Sequence, residues 1–426
     1  MDIQIPFGRD KIQFSIEDKL FAGMYDPSPK KPAEDPVAEV KFAIEHPIGC
    51  PPLNEIIDHD RSVNIIIDDN TRPTPIKLIL PPLIRKIKEV GVSDKNIKIV
   101  AALGSHHYMT NSQLRERVGD EIYDKYKVVN SEFRKKEDLI NLGTTPDGYK
   151  VSASKEAMDS EIRIGVGYLC PHSTMGWSGG CKILFPGVTS EDTVAQFHYW
   201  GGLSKTNDFG NENCPVRLMV ENWVDTIGLH FIVNTILTPE FEIYRVVAGH
   251  YVAAHRIGVE YAKKVIGYQV QEKVDVVIVS SHPYDIDLGQ AMKATGAAEW
   301  ALKNESGGTI ILVSPVNEGF GIHKDYPRII AMEDPDTYIK GIMAGKVDIG
   351  DADPLAIGIG AAMNHSRKRR EIVVVTDGIE RDILQGCGYI AFGRNEIQNA
   401  IAYVINKYNN PRIAVISNGG ETYIYS

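Results

Sequence analysis

The sequence predicts an α/β protein of two domains, each a mainly parallel sheet flanked by helices, with an active-site cleft between them. Short apolar, β-branched runs alternate with longer stretches whose apolar residues recur at helical spacing. The strand-like runs end at turns rich in Gly, Pro or Asp. At 426 residues the chain is also long for a single core. A boundary is expected near residue 268, dividing an N-terminal domain (1–268) with most of the unusual motifs from a C-terminal one (269–426).

In chain order, residues 1–55 look peripheral: an alternating strand near 3–14, then a Pro-rich, charged connector over 27–36. Residues 63–67 form the first strong strand, which runs into Asp68-Asp69-Asn70-Thr71-Arg72-Pro73-Thr74-Pro75. Thr74 reads as an N-cap with Pro75 at the first helical position, and Asp69 is a second candidate cap. Ile76, Ile79, Leu80, Leu83, Ile84 and Ile87 keep helical spacing, and Pro81-Pro82 should kink or restart that helix. Residues 97–102 form the next strand, Gly104-Ser105-His106-His107 its turn, and Thr110 with Gln113 a capping box. An apolar run over 162–169 leads into the most unusual stretch, Pro171-His172-Ser173-Thr174-Met175-Gly176-Trp177-Ser178-Gly179-Gly180-Cys181-Lys182. Two more apolar runs lie between 231 and 247, and 248–264 is helical in pattern. A second strand-helix series then has strands near 274–280, 309–313, 371–376 and 412–416.

Composition narrows the function. Hydrophobic content of 43% and charged content of 24% are those of an ordinary globular protein, and the net charge of -10 argues against a nucleic-acid partner. No apolar run of about 18 residues could span a membrane. The first residues carry Asp2, Arg9, Asp10 and Lys11 without an apolar segment, so no signal peptide is expected. Five scattered cysteines without CxxC spacing favour reduced thiols and a cytoplasmic location.

The chemistry-bearing residues cluster at expected strand ends, where open α/β sheets bind ligands. One turn delivers Asp69 and Arg72, the next His106 and His107, the third His172 and Lys182. Imidazoles can exchange protons near neutral pH or ligate nickel, zinc or copper. Arg72 and Lys293 are natural carboxylate binders. Cys181 reads as a small residue in a tight loop rather than a reactive thiol.

Taken together, Asp68-Asp69-Asn70-Thr71-Arg72-Pro73, Gly104-Ser105-His106, Pro171-His172 and Ser178-Gly179-Gly180-Cys181-Lys182, with His198 sixteen positions later, resemble the nickel-dependent lactate racemase family. The resemblance implies a nickel pincer nucleotide, a pyridinium mononucleotide with two sulfur-containing arms, joined covalently to Lys182. It implies His198 as the protein ligand to nickel and contacts to the cofactor from Asp69, Asn70, Thr71 and Arg72. Gln290 and Lys293, with Arg72, would hold the substrate. His106 and His172 would alternate as proton acceptor and donor while the C2 hydrogen of a 2-hydroxy acid moves as hydride to and from the cofactor. Cofactor-maturation enzymes would be partners. His107, Thr174 and Gly289 depart from the lactate-specific pattern; Gly289 suggests a roomier pocket, and the three together suit a larger hydroxy acid such as a sugar acid. Two rival readings of the same residues are a zinc-dependent hydrolase using the three histidines, and a non-catalytic sugar-acid or nucleotide sensor.

Overall fold

The computed structural model describes residues 1–146, 148–303 and 307–425. Its first large sheet runs, edge to edge, Ile243–Gly249, Phe231–Leu237, Ile162–Tyr168, Val63–Asp68, Ile97–Ala102 and Lys127–Asn130. Only the Phe231–Leu237 and Ile243–Gly249 pair is antiparallel. Numbered along the chain, the strand order is 3-2-1-4-5-6, so the connections reverse direction between Val63–Asp68 and Ile162–Tyr168. A crevice opens at the carboxyl end of a sheet where this happens. The Asp69 turn and the Pro171 loop leave from these two strands.

The second large sheet is wholly parallel: Ile390–Phe392, Glu371–Val375, Thr309–Val313, Val276–Ser280, Ile413–Ile416 and Phe21–Met24. Its last strand corrects the expected domain limits, because the N-terminal segment belongs here and not to the first domain. The cause is apolar patterning. The expected single strand over 3–14 is a hairpin, Asp2–Phe7 against Asp10–Ser15, and Gly8 supplies its left-handed turn residue at φ +65°. Ile3, Ile5, Phe7, Ile12 and Phe14 thereby share one face, which is buried against Val276, Ile278, Ile311 and Val313.

Two local expectations also change. The helix Ile76–Glu89 runs unbroken through Pro81 and Pro82. Each proline removes a backbone donor, but Ile76, Ile79, Leu80, Leu83, Ile84 and Ile87 are all buried in the core, and burying each such side chain is worth roughly 1.5–3 kcal/mol. Neither Thr74 nor Asp69 caps this helix. Thr74 instead donates its hydroxyl to Asp68, which also pairs with Arg117.

The two sheets are joined across the cleft by the helices Glu191–Leu203 and Pro354–Arg369, which approach closely through Gly202 and Gly358. Among the described residues no helix is long and apolar enough to cross a membrane.

Candidate active site

A cavity of about 1020 Å³ lies where the carboxyl ends of the two sheets face one another. Asp69, Asn70, Thr71, Arg72, His106, His172, Lys182 and His198 reach it from the first sheet's side, and Gln290 and Lys293 from the second's. All the candidate site residues named from the sequence therefore border a single space.

Asp69 is 2% exposed and lies 2.6 Å from Nδ1 of His106 through Oδ2. Its Oδ1 accepts from the Thr71 backbone N–H at 3.0 Å and the Thr71 hydroxyl at 2.6 Å. Burial alone would raise its carboxyl. The hydrogen bond and charge of His106, with help from Arg72 and Thr71, instead hold it well below the usual carboxylate range. An ionised Asp69 requires His106 to donate through Nδ1, leaving Nε2 as the atom offered to the cavity.

His172 is set the other way. Its Nδ1 accepts from the backbone N–H groups of Thr174 at 3.1 Å and Met175 at 3.3 Å. Burial, then the nearby charges of Lys182, Lys293 and Arg72, push the imidazole well below its ordinary value. A neutral ring with Nδ1 accepting carries its proton on Nε2.

The Lys182 loop is pinned from beneath. Ser178 donates its hydroxyl to Tyr168 O at 2.7 Å, Gly180 N–H donates to Asn234 Oδ1 at 2.8 Å, and the fully buried Arg217 donates to Met175 O at 3.1 Å. Gly179 must be glycine, since its φ is +69° and a Cβ would lie 2.5 Å from Leu169 and 2.8 Å from Asn234 Oδ1. Cys181 packs as expected for a small loop residue, its thiol pushed up to about 12 by burial. Lys182 is left beside the cavity with no hydrogen-bond partner for its amine among the described residues. Burial, Arg72 and Lys293 lower it from 10.5 to about 7, so much of it is a free amine at neutral pH. His198, on the helix Glu191–Leu203, is lowered to about 3 by burial and by Lys182, which keeps its ring neutral.

On the opposite wall Lys293 donates to Gln290 Oε1 and lies 4.6 Å over the ring of Tyr284. Burial and Arg72 lower its amine to about 8. Three residues that sequence reasoning missed complete this wall. The hydroxyls of Tyr168 and Tyr284 are 2.5 Å apart, and Tyr284 donates to Glu421 at 2.8 Å. They tie the end of a first-sheet strand to the second domain beside Arg72. Glu421 closes Ser417-Asn418-Gly419-Gly420-Glu421, a glycine-marked turn following a strand, so the same strand-end grammar that revealed His106 applied to it. Among the described residues no three His, Cys, Asp or Glu side chains converge to hold a metal ion; the three imidazoles of the zinc reading do not form a metal-holding set.

A cleft that sets imidazoles from different strand ends around a lysine amine, with guanidinium and ammonium groups beside them, defines a two-domain α/β enzyme suited to proton transfer on a small anion. Comparison with known proteins narrows the class. Residues 7–209 match the lactate racemase N-terminal domain and residues 269–423 the lactate racemase C-terminal domain. The chain is 27% identical over 386 residues to the lactate racemase of Thermoanaerobacterium thermosaccharolyticum, covering 88% of each. It is 28% identical over 345 residues to that of Lactiplantibacillus plantarum, covering 79% of this chain and 80% of the other. The lactate racemase apoprotein structure from T. thermosaccharolyticum matches over the whole of both chains with a TM-score of 0.84 at 25% identity. A Thermotoga maritima crystal structure shares the fold, with a TM-score of 0.68 at 17% identity over 93% of this chain and all of that one. The chain belongs to the lactate racemase family and is an isomerase.

Proposed function

We propose that the chain inverts the C2 stereocentre of a 2-hydroxy acid with the help of a nickel pincer nucleotide held by Lys182 and His198. The observation that carries this is the Lys182 amine: lowered to about 7, without a partner among the described residues, and bordering the same cavity as a neutral His198 imidazole. A free amine suits covalent attachment, and a single imidazole suits a metal whose other donors are soft sulfur atoms of an organic ligand. Arg72 depresses both lysine amines and Lys293 depresses Lys182, as a site awaiting an anionic ligand would. Asn70 and Thr71 line the approach to this group. When bound, it would supply reversible hydride acceptance at an electron-poor ring.

The chain's own residues supply binding and proton transfer. Arg72, Lys293 and Gln290 orient the substrate carboxylate, with the guanidinium offering paired donors. Nε2 of His106, turned to the cavity because Asp69 holds Nδ1, can take the proton of the C2 hydroxyl when the ring is neutral. Nε2–H of His172 can give one. The pair thus begins with one acceptor and one donor, and the roles exchange when the reaction reverses. Assembling the nucleotide would require maturation enzymes as partners, and five free cysteines suit the cytoplasm in which we place the chain.

The test uses protein matured alongside the cofactor-building enzymes. Nickel, a mass increase on Lys182, and inversion at C2 of a 2-hydroxy acid with the C2 hydrogen retained rather than exchanged with solvent are expected. Stoichiometric zinc with an unmodified Lys182, or ligand binding without any inversion at C2, would overturn the reading in favour of a hydrolase or a sensor.

A further inference from the structure

We propose that His323, held by Asp353, and the hydroxyl of Tyr326 form a polar subsite for a neutral, hydroxyl-bearing tail on the substrate, selecting polyhydroxylated 2-hydroxy acids over lactate. The proposal rests on the hydroxy-acid reading above and names the substrate class of that site.

His323 lies in the loop between the strand Thr309–Val313 and the helix Tyr326–Ala331, and it borders the cavity from the second domain. Its Nδ1 is 2.5 Å from Asp353 Oδ2. The other Asp353 oxygen accepts from the backbone N–H of Leu355 at 2.9 Å and Ala356 at 3.2 Å, at the start of the helix Pro354–Arg369. Burial would raise the Asp353 carboxyl, but the hydrogen bond from His323 holds it low. Nδ1 is therefore a donor and the ring cannot turn away, so Nε2 has no partner among the described residues. This arrangement repeats that of Asp69 and His106 on the opposite wall.

Tyr326 supplies the second group. Its ring centroid is 5.0 Å from that of His323, and its hydroxyl makes no hydrogen bond among the described residues. That hydroxyl would lie 2.9 Å from a Cβ at Gly289. Gly289 therefore does not open the roomier pocket expected from the sequence: the space beside Gln290 is taken by a phenol from another element, leaving the pocket differently lined.

With the substrate carboxylate on Arg72, Lys293 and Gln290, and its C2 hydroxyl between His106 and His172, the wall next to Gln290 is left for the third substituent. A methyl group there would leave an imidazole nitrogen and a phenol dehydrated and unpaired. An alcohol can donate to Nε2 and accept from Tyr326. A carboxylate tail is disfavoured beside the Tyr326 hydroxyl, which already lies in the field of Asp287 and Asp353.

The experiment measures kcat/KM for inversion at C2, followed by chiral chromatography, for matured holoenzyme on lactate, glycerate, malate and gluconate. Glycerate and gluconate should exceed lactate by about tenfold or more, in line with the discrimination of one hydrogen-bonded hydroxyl, and malate should be poor. His323→Leu should cost about tenfold on glycerate and gluconate while lactate holds or improves, since the imidazole its methyl would strand is gone; Tyr326→Phe should act in the same direction, and His323→Gln should recover part of the loss. An unchanged melting temperature for His323→Leu excludes misfolding, and the lactate rate is an internal control for the rest of the site. Equal losses on every substrate, or a wild-type enzyme that uses lactate as well as glycerate, overturn the subsite alone. Inversion of none of the four overturns the hydroxy-acid reading, and the subsite with it.

Discussion

A Cβ on Gly358 would lie 2.4 Å from the carbonyl carbon of His198 and 2.5 Å from its carbonyl oxygen. The second domain thus presses glycine backbone directly against the residue proposed to bind nickel. Gly202, one turn further along the His198 helix, makes the reciprocal approach, with its own Cβ position 2.6 Å from Gly358 O. Contacts this short permit no side chain, so the separation of the two helices sets where the imidazole stands.

Gly358→Ala tests this relationship. In an unconstrained helix the change would be worth about 1 kcal/mol of stabilisation; here a lower melting temperature and less nickel per matured chain are expected. Full nickel occupancy with a raised melting temperature would show that the helix spacing does not govern His198.

Asp69→Asn should lower kcat by roughly 10²-fold or more, the range of a general acid-base contribution, while leaving the mass adduct on Lys182. Loss of the adduct instead would mean that Asp69 serves the cofactor before it serves His106. The substitution should also alter acid stability. A carboxyl whose folded value is depressed adds stability that is present above its unfolded value, near 3.8, and lost as pH falls toward the folded one. The acid limb of wild-type unfolding should therefore be steeper than that of the variant.

Lys182 in cofactor-free protein should react with amine-directed reagents with a midpoint near pH 7, against 10.5 for an ordinary lysine. Peptide mapping after brief labelling across pH reads this directly. Between those two values the unfolded chain binds more protons than the folded one, so this group makes stability rise with pH over that window. Lys182→Met should remove that rise and abolish the adduct; labelling that begins only near pH 10 would refute the buried-amine geometry.

His106→Ala and His172→Ala should each abolish detectable turnover while nickel and the Lys182 adduct are retained. Because Asp69 lies against His106 and backbone donors lie against His172, any residual inversion in one variant should differ in kcat between the two substrate enantiomers. Wild-type rates in both would rule out their proton-transfer roles.

How much of this could be read from the residues themselves follows from the range of the forces involved. The strands at 63–68, 97–102, 162–168 and 309–313 were legible because a sheet covered on both faces demands unbroken apolar runs. His106, His172 and Lys182 were legible because each follows such a run at a Gly- or Pro-marked turn. Local signals also misled: Thr74 and Pro75 look like a helix cap, but Asp68, six residues back, competes for the same hydroxyl. The placement of the first 24 residues against the second sheet, the Asp69–His106 and Asp353–His323 pairs, and the Tyr168–Tyr284–Glu421 bridge join segments from about 30 to several hundred positions apart. Local sequence therefore determined the elements and the chemical groups at their ends. Only tertiary packing decided which of those ends face each other, because burial and short-range hydrogen bonds act between neighbours in space, and neighbourhood across two domains is not encoded in any one stretch of the chain.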